Sequence, residues 1–527
     1  MERFFNTAGP VKCDIHYCLP PLERWDLDGI RTLIDQQKYF VLHAPRQTGK
    51  TSCLLALMDF LNAEGRYRAL YVNVEKGQGA RENVDAAMRA ITGGMANQAI
   101  WVLNDDSLDP AFAEIVDKHG GQGALETVIG LWASRSPFPT VLMLDEVDSL
   151  IGDTLISFLR QIRSGYTNRP RAFPHSIILC GVRDVRDYRI HSAAEKSVIT
   201  GGSAFNIKAE SLRLGDFTRE ETRVLLGIHT AETGQRFVDG ADERIWELTR
   251  GQPWLVNALA HETCFGKKGV RDRSVDIVPE MISEAKERLI ERRDTHLDQL
   301  ADRLREDRVR RVIAPILQGV DRPSTLYDDD LAYVRDLGLI RIEGGQALLA
   351  NPIYREIIPR ELTYGTQYML HQPTEWYVAP GGRLDMDKLL AAFQEFFREH
   401  SEHWVERFEY KEAGPQLLLQ AFLQRVINSG GRIEREYGLG RGRTDLLLIW
   451  PFDGGVQKVV IELKVLHKSL EKTIADGLEQ TAGYMDRCDA AEGHLVIFDR
   501  TPERPWEEKV FRRPEDCEGR EIGVWGM

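Results

Sequence analysis

The chain has 527 residues, 28% of them charged and 43% hydrophobic, and a formal net charge of −13. That length allows two to four domains, each with its own core, in a chain with the balance of a soluble globular protein. The acidic balance excludes a molecule coated in basic surface, so any nucleic-acid contact has to be a local patch.

No apolar run approaches the length needed to span a bilayer, and the N-terminus, MERFFNTAGP, lacks the apolar stretch of a signal peptide. Seven cysteines lie at 13, 18, 53, 180, 264, 488 and 517. Cys13 and Cys18 are close, with His16 between them, but a second ligand pair is missing nearby, which argues against zinc. Scattered thiols without a framework suit a reducing, cytoplasmic compartment, and the want of a spanning run implies no membrane.

Residues 1–38 carry Pro10, Pro20, Pro21 and a helical pattern over Trp25–Gln37, read as a lead-in that covers the first strand. The apolar run Tyr39–Leu42 then leads into Ala44–Thr51, Ala-Pro-Arg-Gln-Thr-Gly-Lys-Thr, and an apolar-periodic run, Ser52–Leu61, follows. Strand, tight loop and helix are the context of a phosphate-binding P-loop. Its backbone N–H groups, from Ala44 through Gln47, Thr48 and Gly49, and the positive end of the next helix converge on one spot that suits a polyphosphate. Lys50 reaches the β/γ-phosphates and the Thr51 hydroxyl can ligate Mg²⁺. Ala44 stands where the pattern has its first glycine, which a methyl group tolerates if φ stays negative.

Arg68–Val74 alternates as a strand, and residues 80–134 read mostly as helix with a break at Gly120–Gly123. Thr140–Asp148, Thr-Val-Leu-Met-Leu-Asp-Glu-Val-Asp, reads as a fully buried parallel strand that ends in carboxylates at the ligand-binding edge of an open sheet. Asp145 would hold Mg²⁺, directly or through water, and Glu146 would polarise the attacking water as general base. Ser176–Val182 is another buried strand, ending in Arg183-Asp184. Helical residues 214–292 follow, with Thr-Arg-Gly-Gln-Pro-Trp-Leu-Val at Thr249–Val256.

The P-loop with paired acids resembles the ATPase branch that includes the AAA+ and STAND proteins. The resemblance implies ATP with Mg²⁺ as ligand, Arg183 as a γ-phosphate sensor, and a helical lid whose Pro253 packs near the adenine. A salt-bridged loop arginine and a helix boundary made by Gly251 and Pro253 are the plainer readings of those two positions. It also implies assembly of several copies through the ATPase, with Arg160, Arg163 or Arg169 as the arginine offered to a neighbour. Residues 295–364 look like the winged helix that follows the lid in such proteins: helical patterns at 296–306, 308–318 and Asp328–Gly338, then alternation in Leu339–Ala350 around Gly344-Gly345. Three acids open the third helix and would repel a phosphate backbone.

A break rich in Gly, Pro and uncharged polar residues over 365–384 separates this from a second chemical site. Arg441–Ile449 and Val456–Val465 are two strands joined through Asp453-Gly454, a strong hairpin signal. With Asp453-Gly454 as a two-residue turn, Asp445 sits directly opposite Glu462, and Lys464 lies on the same face. Two carboxylates and a lysine make poor core but a good site for Mg²⁺ or Mn²⁺.

Asp445, Glu462 and Lys464 at this spacing resemble the PD-(D/E)XK nuclease superfamily, with Thr444 in place of the nominal proline. Gln480 and Tyr484 on the next helix resemble an element of its RecB-like branch. Glu412, or its rival Glu409, matches the family's first acid. The resemblance covers roughly 400–500. From 413 to 474 nine Lys/Arg face six Asp/Glu, which supports the nuclease reading; the resemblance implies a nucleic-acid partner, DNA ahead of RNA.

The expected architecture is α/β throughout: P-loop core 1–212, helical lid 213–293, winged helix 294–364, linker 365–384 and a restriction-endonuclease-like domain 385–527. It resembles bacterial fusions of an AAA-like ATPase to a C-terminal nuclease domain, which implies an ATP-controlled nuclease, with a role in defence against foreign nucleic acid taken from analogous fusions. An ATP-switched scaffold that binds without cutting is the competing reading, and a DNA-remodelling motor would need helicase motifs that the chain lacks.

Overall fold

The structure, a computed structural model, describes residues 2–184, 189–192, 197–200, 205–266, 271–292, 302–317, 329–359, 377–407, 414–427, 431–439, 442–466, 469–499, 501 and 504–527. The chain divides into two compact units, Met1–Arg292 with Leu326–Arg341, and Arg293–Thr325 with Ile342–Met527.

The first unit is built on strands β1 (Tyr39–His43), β2 (Arg68–Asn73), β3 (Thr140–Asp145), β4 (Ser176–Gly181), a separate hairpin of β5 (Arg189–Ser192) and β6 (Ser197–Thr200), and β7 (Lys208–Arg213). The main sheet runs in the order β2-β3-β4-β1-β7 with every pair parallel. Every residue of β1, β3 and β4 is buried, because helices cover both faces. Helices α1 (Leu27–Asp35) and α2 (Lys50–Glu64) close one face through Ile30, Ile34, Leu54 and Leu57. Helices α3 (Val84–Leu103), α4 (Asp109–His119), α5 (Ala124–Arg135) and α6 (Gly152–Gly165) lie on the other side, where Met88, Ile91, Trp132 and Phe158 fill the core. Two buried faces explain the unbroken apolar runs that mark these strands in the sequence.

β7 and the β5–β6 hairpin are absent from the sequence reading. β7 reads Lys-Ala-Glu-Ser-Leu-Arg and stands at the sheet's edge, mostly half-exposed or exposed. An edge strand with one covered side carries little apolar signal.

The segment expected as a lid is helical, with α7 (Arg219–Thr233), α8 (Ala241–Thr249), α9 (Pro253–Phe265) and α10 (Pro279–Glu291). A Thr218–Glu221 capping box starts α7. The lead-in serves two places. Its helix α1 covers the first strand as expected, whereas Phe5 and Tyr17 dock on the lid against His229, and Trp254 Nε1 donates to Thr7 O at 2.9 Å.

Of the winged-helix pattern, α11 (Asp307–Leu317), α12 (Asp329–Asp336), β8 (Ile340–Glu343) and β9 (Gln346–Leu349) are present. Gly344 and Gly345, both at positive φ, form the turn between the two strands, the geometry a two-residue hairpin loop demands. The two compact units divide this stretch: Leu326–Arg341 belongs with the first and the remainder with the second. Most of the 296–306 pattern and most of the linker 365–384 lie outside the described residues.

The second unit holds a six-stranded mixed sheet in the order β10-β11-β12-β13-β15-β14: β10 (Arg432–Leu439), β11 (Gly442–Phe452), β12 (Gly455–Val465), β13 (Glu492–Phe498), β14 (Phe511–Cys517) and β15 (Arg520–Gly526). Helix α15 (Leu470–Cys488) covers one face through Ile474, Ala482 and Met485. Helix α13 (Met386–Arg407) pairs with α14 (Gly414–Ile427) through Phe393 and Phe422. Phe397 of α13 meets Phe498 of β13.

Candidate functional site

The sheet order sets β4 between β1 and β3. The loops that leave the carboxyl ends of these three strands therefore meet at one edge, although they start at residues 44, 146 and 182.

The first of them is the P-loop. Ala44 is buried, and its φ lies outside the positive region, so its methyl group joins the core around α2. Its N–H donates to Gly181 O at 3.3 Å, tying the loop to β4. Gln47 and Gly49 take φ of 58° and 95°, which curls the loop back over the start of α2. Thr48 Oγ1 donates to Pro45 O at 2.8 Å. Lys50 is buried, and its Nζ donates to Ala44 O at 2.9 Å and Pro45 O at 3.0 Å. The ammonium is thus held inside the curl, where an incoming phosphate would meet it.

Asp145 ends β3 at 0% exposure. Its Oδ2 accepts from Thr51 Oγ1 at 2.7 Å and from Tyr71 OH at 3.0 Å, and its Oδ1 accepts from Glu146 N at 2.8 Å. Glu146 follows in the left-handed region, φ 59°. Its carboxyl is pushed above the usual range by burial first, then by Asp145 and Asp148, against the pull of Lys50 and Arg46. A raised pKa makes it a better proton acceptor than an exposed glutamate. Asp148 Oδ1 accepts from Val182 N at 3.1 Å, which couples this loop to the end of β4.

Arg183, just past β4, lies with its guanidinium 4.6 Å from the centre of the Tyr333 ring on α12. Gly338 backs onto Pro45 of the P-loop, and Arg213 donates to Arg335 O, so this segment packs on the nucleotide edge. Arg169, one of three candidates for an arginine offered to a neighbour, is built into the opposite edge. It donates to Tyr166 O at 2.8 Å and to Gln37 O, and it stacks on the Tyr166 ring at 3.4 Å. Gln37 precedes β1, at the amino end of the sheet, so Arg169 serves the fold there.

A cleft of about 690 Å³, counted to its open mouth, adjoins the P-loop at Gln47, Gly49 and Ser52. Pro253, Trp254 and Asn257 of the lid form one wall, and residues 6–9 of the lead-in form another. Pro253 opens α9, capped by Gln252, whose side chain accepts from Leu255 N at 2.6 Å. Gly251, at φ 79°, lies against Phe217, where an added Cβ would stand 1.8 Å from the carbonyl oxygen. Glycine is what lets this turn close.

Two residues of this edge are missed by the sequence reading. Arg24 Nη1 donates to Thr48 O at 2.5 Å, Nη2 donates to Gly215 O at 2.8 Å, and the guanidinium lies 4.6 Å from the Phe217 ring. It pins the P-loop to the start of the lid, and burial lowers its pKa. Tyr71 is the other, seen only as one step of an alternating strand. Both act across tertiary distance, for which neither periodicity nor a local motif gives a sign.

In the second unit the β11–β12 hairpin turns at Asp453-Gly454, with Phe452 paired to Gly455 and Leu446 to Ile461. One further step in this register sets Asp445 level with Glu462. Glu462 is buried at 3% exposure. Lys464 Nζ donates to Glu462 Oε1 at 2.7 Å and to Gln480 Oε1 at 2.5 Å. Gln480 comes from α15, so helix and sheet meet at the lysine. The Asp445 side chain, Glu412 and its rival Glu409 lie outside the described residues. Among the described residues no group of three or more His, Cys, Asp or Glu side chains is gathered for a metal ion. Cys13 and Cys18 form a disulfide, a pairing the sequence reading did not anticipate. No described helix is long and apolar enough to cross a membrane.

No curated protein sequence matches this chain. Among solved structures, the Walker-type ATPase paby2304 of Pyrococcus abyssi aligns at 15% identity and TM-score 0.43, over 67% of this chain and 99% of that one. Cdc6p of Pyrobaculum aerophilum aligns at 13% and 0.36, over 78% and 95%. The RuvB Holliday junction branch migration motor of Thermotoga maritima aligns at 12% and 0.33, over 63% and 95%. The family model described as AAA domain matches residues 33–188, which span β1, the P-loop, the Asp145-Glu146 pair and the end of β4. Over that stretch the chain carries an AAA-like P-loop ATPase domain.

Proposed function

We propose that this protein binds and hydrolyses ATP to control a metal-dependent nuclease that cleaves phosphodiester bonds, in DNA ahead of RNA. The ATPase half rests on the contact of Thr51 with Asp145 beside the raised carboxyl of Glu146. Hard oxygen donors of this kind fit Mg²⁺. Thr51 and Asp145 would hold the ion, which when bound neutralises phosphate charge. Lys50 and the loop's N–H groups bind the β/γ-phosphates, Glu146 takes the proton of the attacking water, Arg183 senses the γ-phosphate, and Pro253 flanks the base in the cleft.

The observation that carries the nuclease half is Lys464 held between Glu462 and Gln480, with Asp445 level with Glu462 in the hairpin register. A lysine so held stabilises charge that develops on a phosphodiester, while the acids would hold Mg²⁺ or Mn²⁺, which polarises the scissile phosphate. Glu412 is the proposed third acid. We extend the reading to assembly through the ATPase and to defence against foreign nucleic acid, on the pattern of analogous fusions. Incubation of the purified protein with labelled DNA and RNA, with and without ATP and with Mg²⁺ or Mn²⁺, tests it. Cleavage that needs metal and responds to ATP is expected. Tight nucleic-acid binding with no cleavage under any condition would leave the scaffold reading standing instead.

A further inference from the structure

Asp145 Oδ2 accepts two hydroxyl donors, Thr51 at 2.7 Å and Tyr71 at 3.0 Å. An ionised carboxylate oxygen offers about two lone-pair directions, so this oxygen is saturated by protein. Thr51 belongs to the P-loop helix, and its contact with a strand-end acid follows from the fold. Tyr71 has no such reason to be there. It sits on β2, level with Met143, two residues short of Asp145 on the same face of the neighbouring strand. Its ring packs in the core with Val141, Met143 and Cys180, at 9% exposure. A phenylalanine would supply that packing equally. The hydroxyl adds only the hydrogen bond to Asp145.

That bond fixes the rotation of the carboxylate. Turning the Asp145 carboxyl group about its Cβ–Cγ bond breaks the Tyr71 and Thr51 contacts together. Cys180 of β4 is buried in the same cluster as the Tyr71 ring.

We infer that Tyr71 is a positioning residue for the metal–nucleotide complex: by holding the Asp145 carboxylate in one rotation, it sets how strongly the site takes up Mg²⁺ with ATP. The inference rests on the proposed reading of Thr51 and Asp145 as the residues that hold Mg²⁺. Residues that orient a ligating carboxylate are worth about 10- to 100-fold in metal affinity, and Tyr71 shares the task with Thr51, so about tenfold is expected.

The test titrates the full chain with a fluorescent ATP analogue, first in EDTA and then over a range of Mg²⁺. In Tyr71→Phe the affinity in EDTA stays within about twofold of wild type, and the Mg²⁺ midpoint rises about tenfold. Asp145→Asn raises it too, and adding Tyr71→Phe to that variant raises it no further, because the hydroxyl acts through the carboxylate. An unchanged midpoint in Tyr71→Phe overturns the inference. So does an equal loss in EDTA and in Mg²⁺, which marks a role in packing alone. Should Tyr71→Phe fail to fold, difluorotyrosine placed at position 71 keeps ring and hydroxyl and makes the hydroxyl more acidic, with the affinity in EDTA as the control for packing. A midpoint moved more than about twofold then supports the inference, and an unmoved one overturns it. Wild type that binds the analogue with no response to Mg²⁺ removes the reading beneath the inference, a result distinguishable from a silent Tyr71→Phe.

Discussion

Thr51 Oγ1 donates to Asp145 Oδ2 at 2.7 Å across 94 residues of sequence. The contact joins the first turn of α2 to the end of β3 and closes the nucleotide edge over β4. It also brings Lys50, one residue earlier, and Glu146, one residue later, to the same place. Lys50→Ala is expected to lower ATP affinity at least about 100-fold, roughly 2.7 kcal/mol. The variant removes the buried cation whose place between two carbonyls is made for phosphate. Equilibrium binding of a fluorescent ATP analogue measures it, and an affinity within threefold of wild type would contradict the assignment.

Glu146 carries a pH prediction. Its pKa is raised by burial and by Asp145, and a general base works only when deprotonated. Hydrolysis should therefore fall as pH drops through the raised value, above the ordinary glutamate range near about 4.3. Glu146→Gln should still bind ATP but hydrolyse it about 10²- to 10⁴-fold more slowly, and the residual rate should lose that acid limb. A steady-state pH profile of both proteins decides it. Equal ATPase rates would remove Glu146 from the mechanism.

The lid rests on a turn that only glycine fits. Gly251 has φ 79° and would place a Cβ 1.8 Å from Phe217 O, whereas Gly234, at φ 77°, has nothing within 4 Å of its added Cβ. Gly234→Ala should cost about 1–2 kcal/mol of conformational strain. Gly251→Ala adds a backbone clash and should cost about 3 kcal/mol or more, a melting-temperature drop of roughly 6–12 °C. Thermal melts of the two variants separate the effects. Equal losses would show that the close approach to Phe217 relaxes freely.

The P-loop and the Asp145 pair were legible because their spacing is local and their strands are buried on both faces. Asp453-Gly454 was legible because a two-residue turn dictates register. β7 was not, since an edge strand of Lys, Glu, Ser and Arg has no apolar alternation to read. Nor were Arg24 and Tyr71, which act on Thr48 and Asp145 from distant stretches of chain. The division of the winged-helix pattern between two compact units was hidden for a similar reason. Arg183 against Tyr333 and Pro45 against Gly338 are tertiary contacts, and a helical pattern carries no sign of which body it joins.

Those contacts bear on how short an ATPase fragment can be made. The Gly/Pro break at 365–384 sets the expected end of the ATPase part. The first unit takes in Leu326–Arg341, so a fragment ending at 292 lacks the cover over its P-loop. Fragment 1–364, which keeps the β8–β9 hairpin whole, should be soluble and melt several degrees above fragment 1–292, with tighter ATP binding. Coincident melting curves would show that the segment adds nothing to the ATPase.

The hairpin of the second unit carries the last prediction, because there register and chemistry constrain each other. Phe452 pairs with Gly455, so residues equally far out on the two strands face one another as far as Leu446 and Ile461. Asp445 and Glu462 are the next such step. Lys464, two residues beyond Glu462, shares its face and reaches Gln480. Glu462→Gln keeps the shape and removes the charge that would hold a divalent ion. Lys464→Met keeps the stem and removes the cation. Each should lower nucleic-acid cleavage at least about 100-fold, near 2.7 kcal/mol of transition-state stabilisation. Neither should change ATP hydrolysis by more than about twofold, since Asp145 and Glu146 lie in the other compact unit. Cleavage of labelled DNA and release of phosphate from ATP, measured on the same preparations, give the two readouts. Cleavage that survives in both variants would mean that the Glu462–Lys464–Gln480 cluster only holds α15 to the sheet.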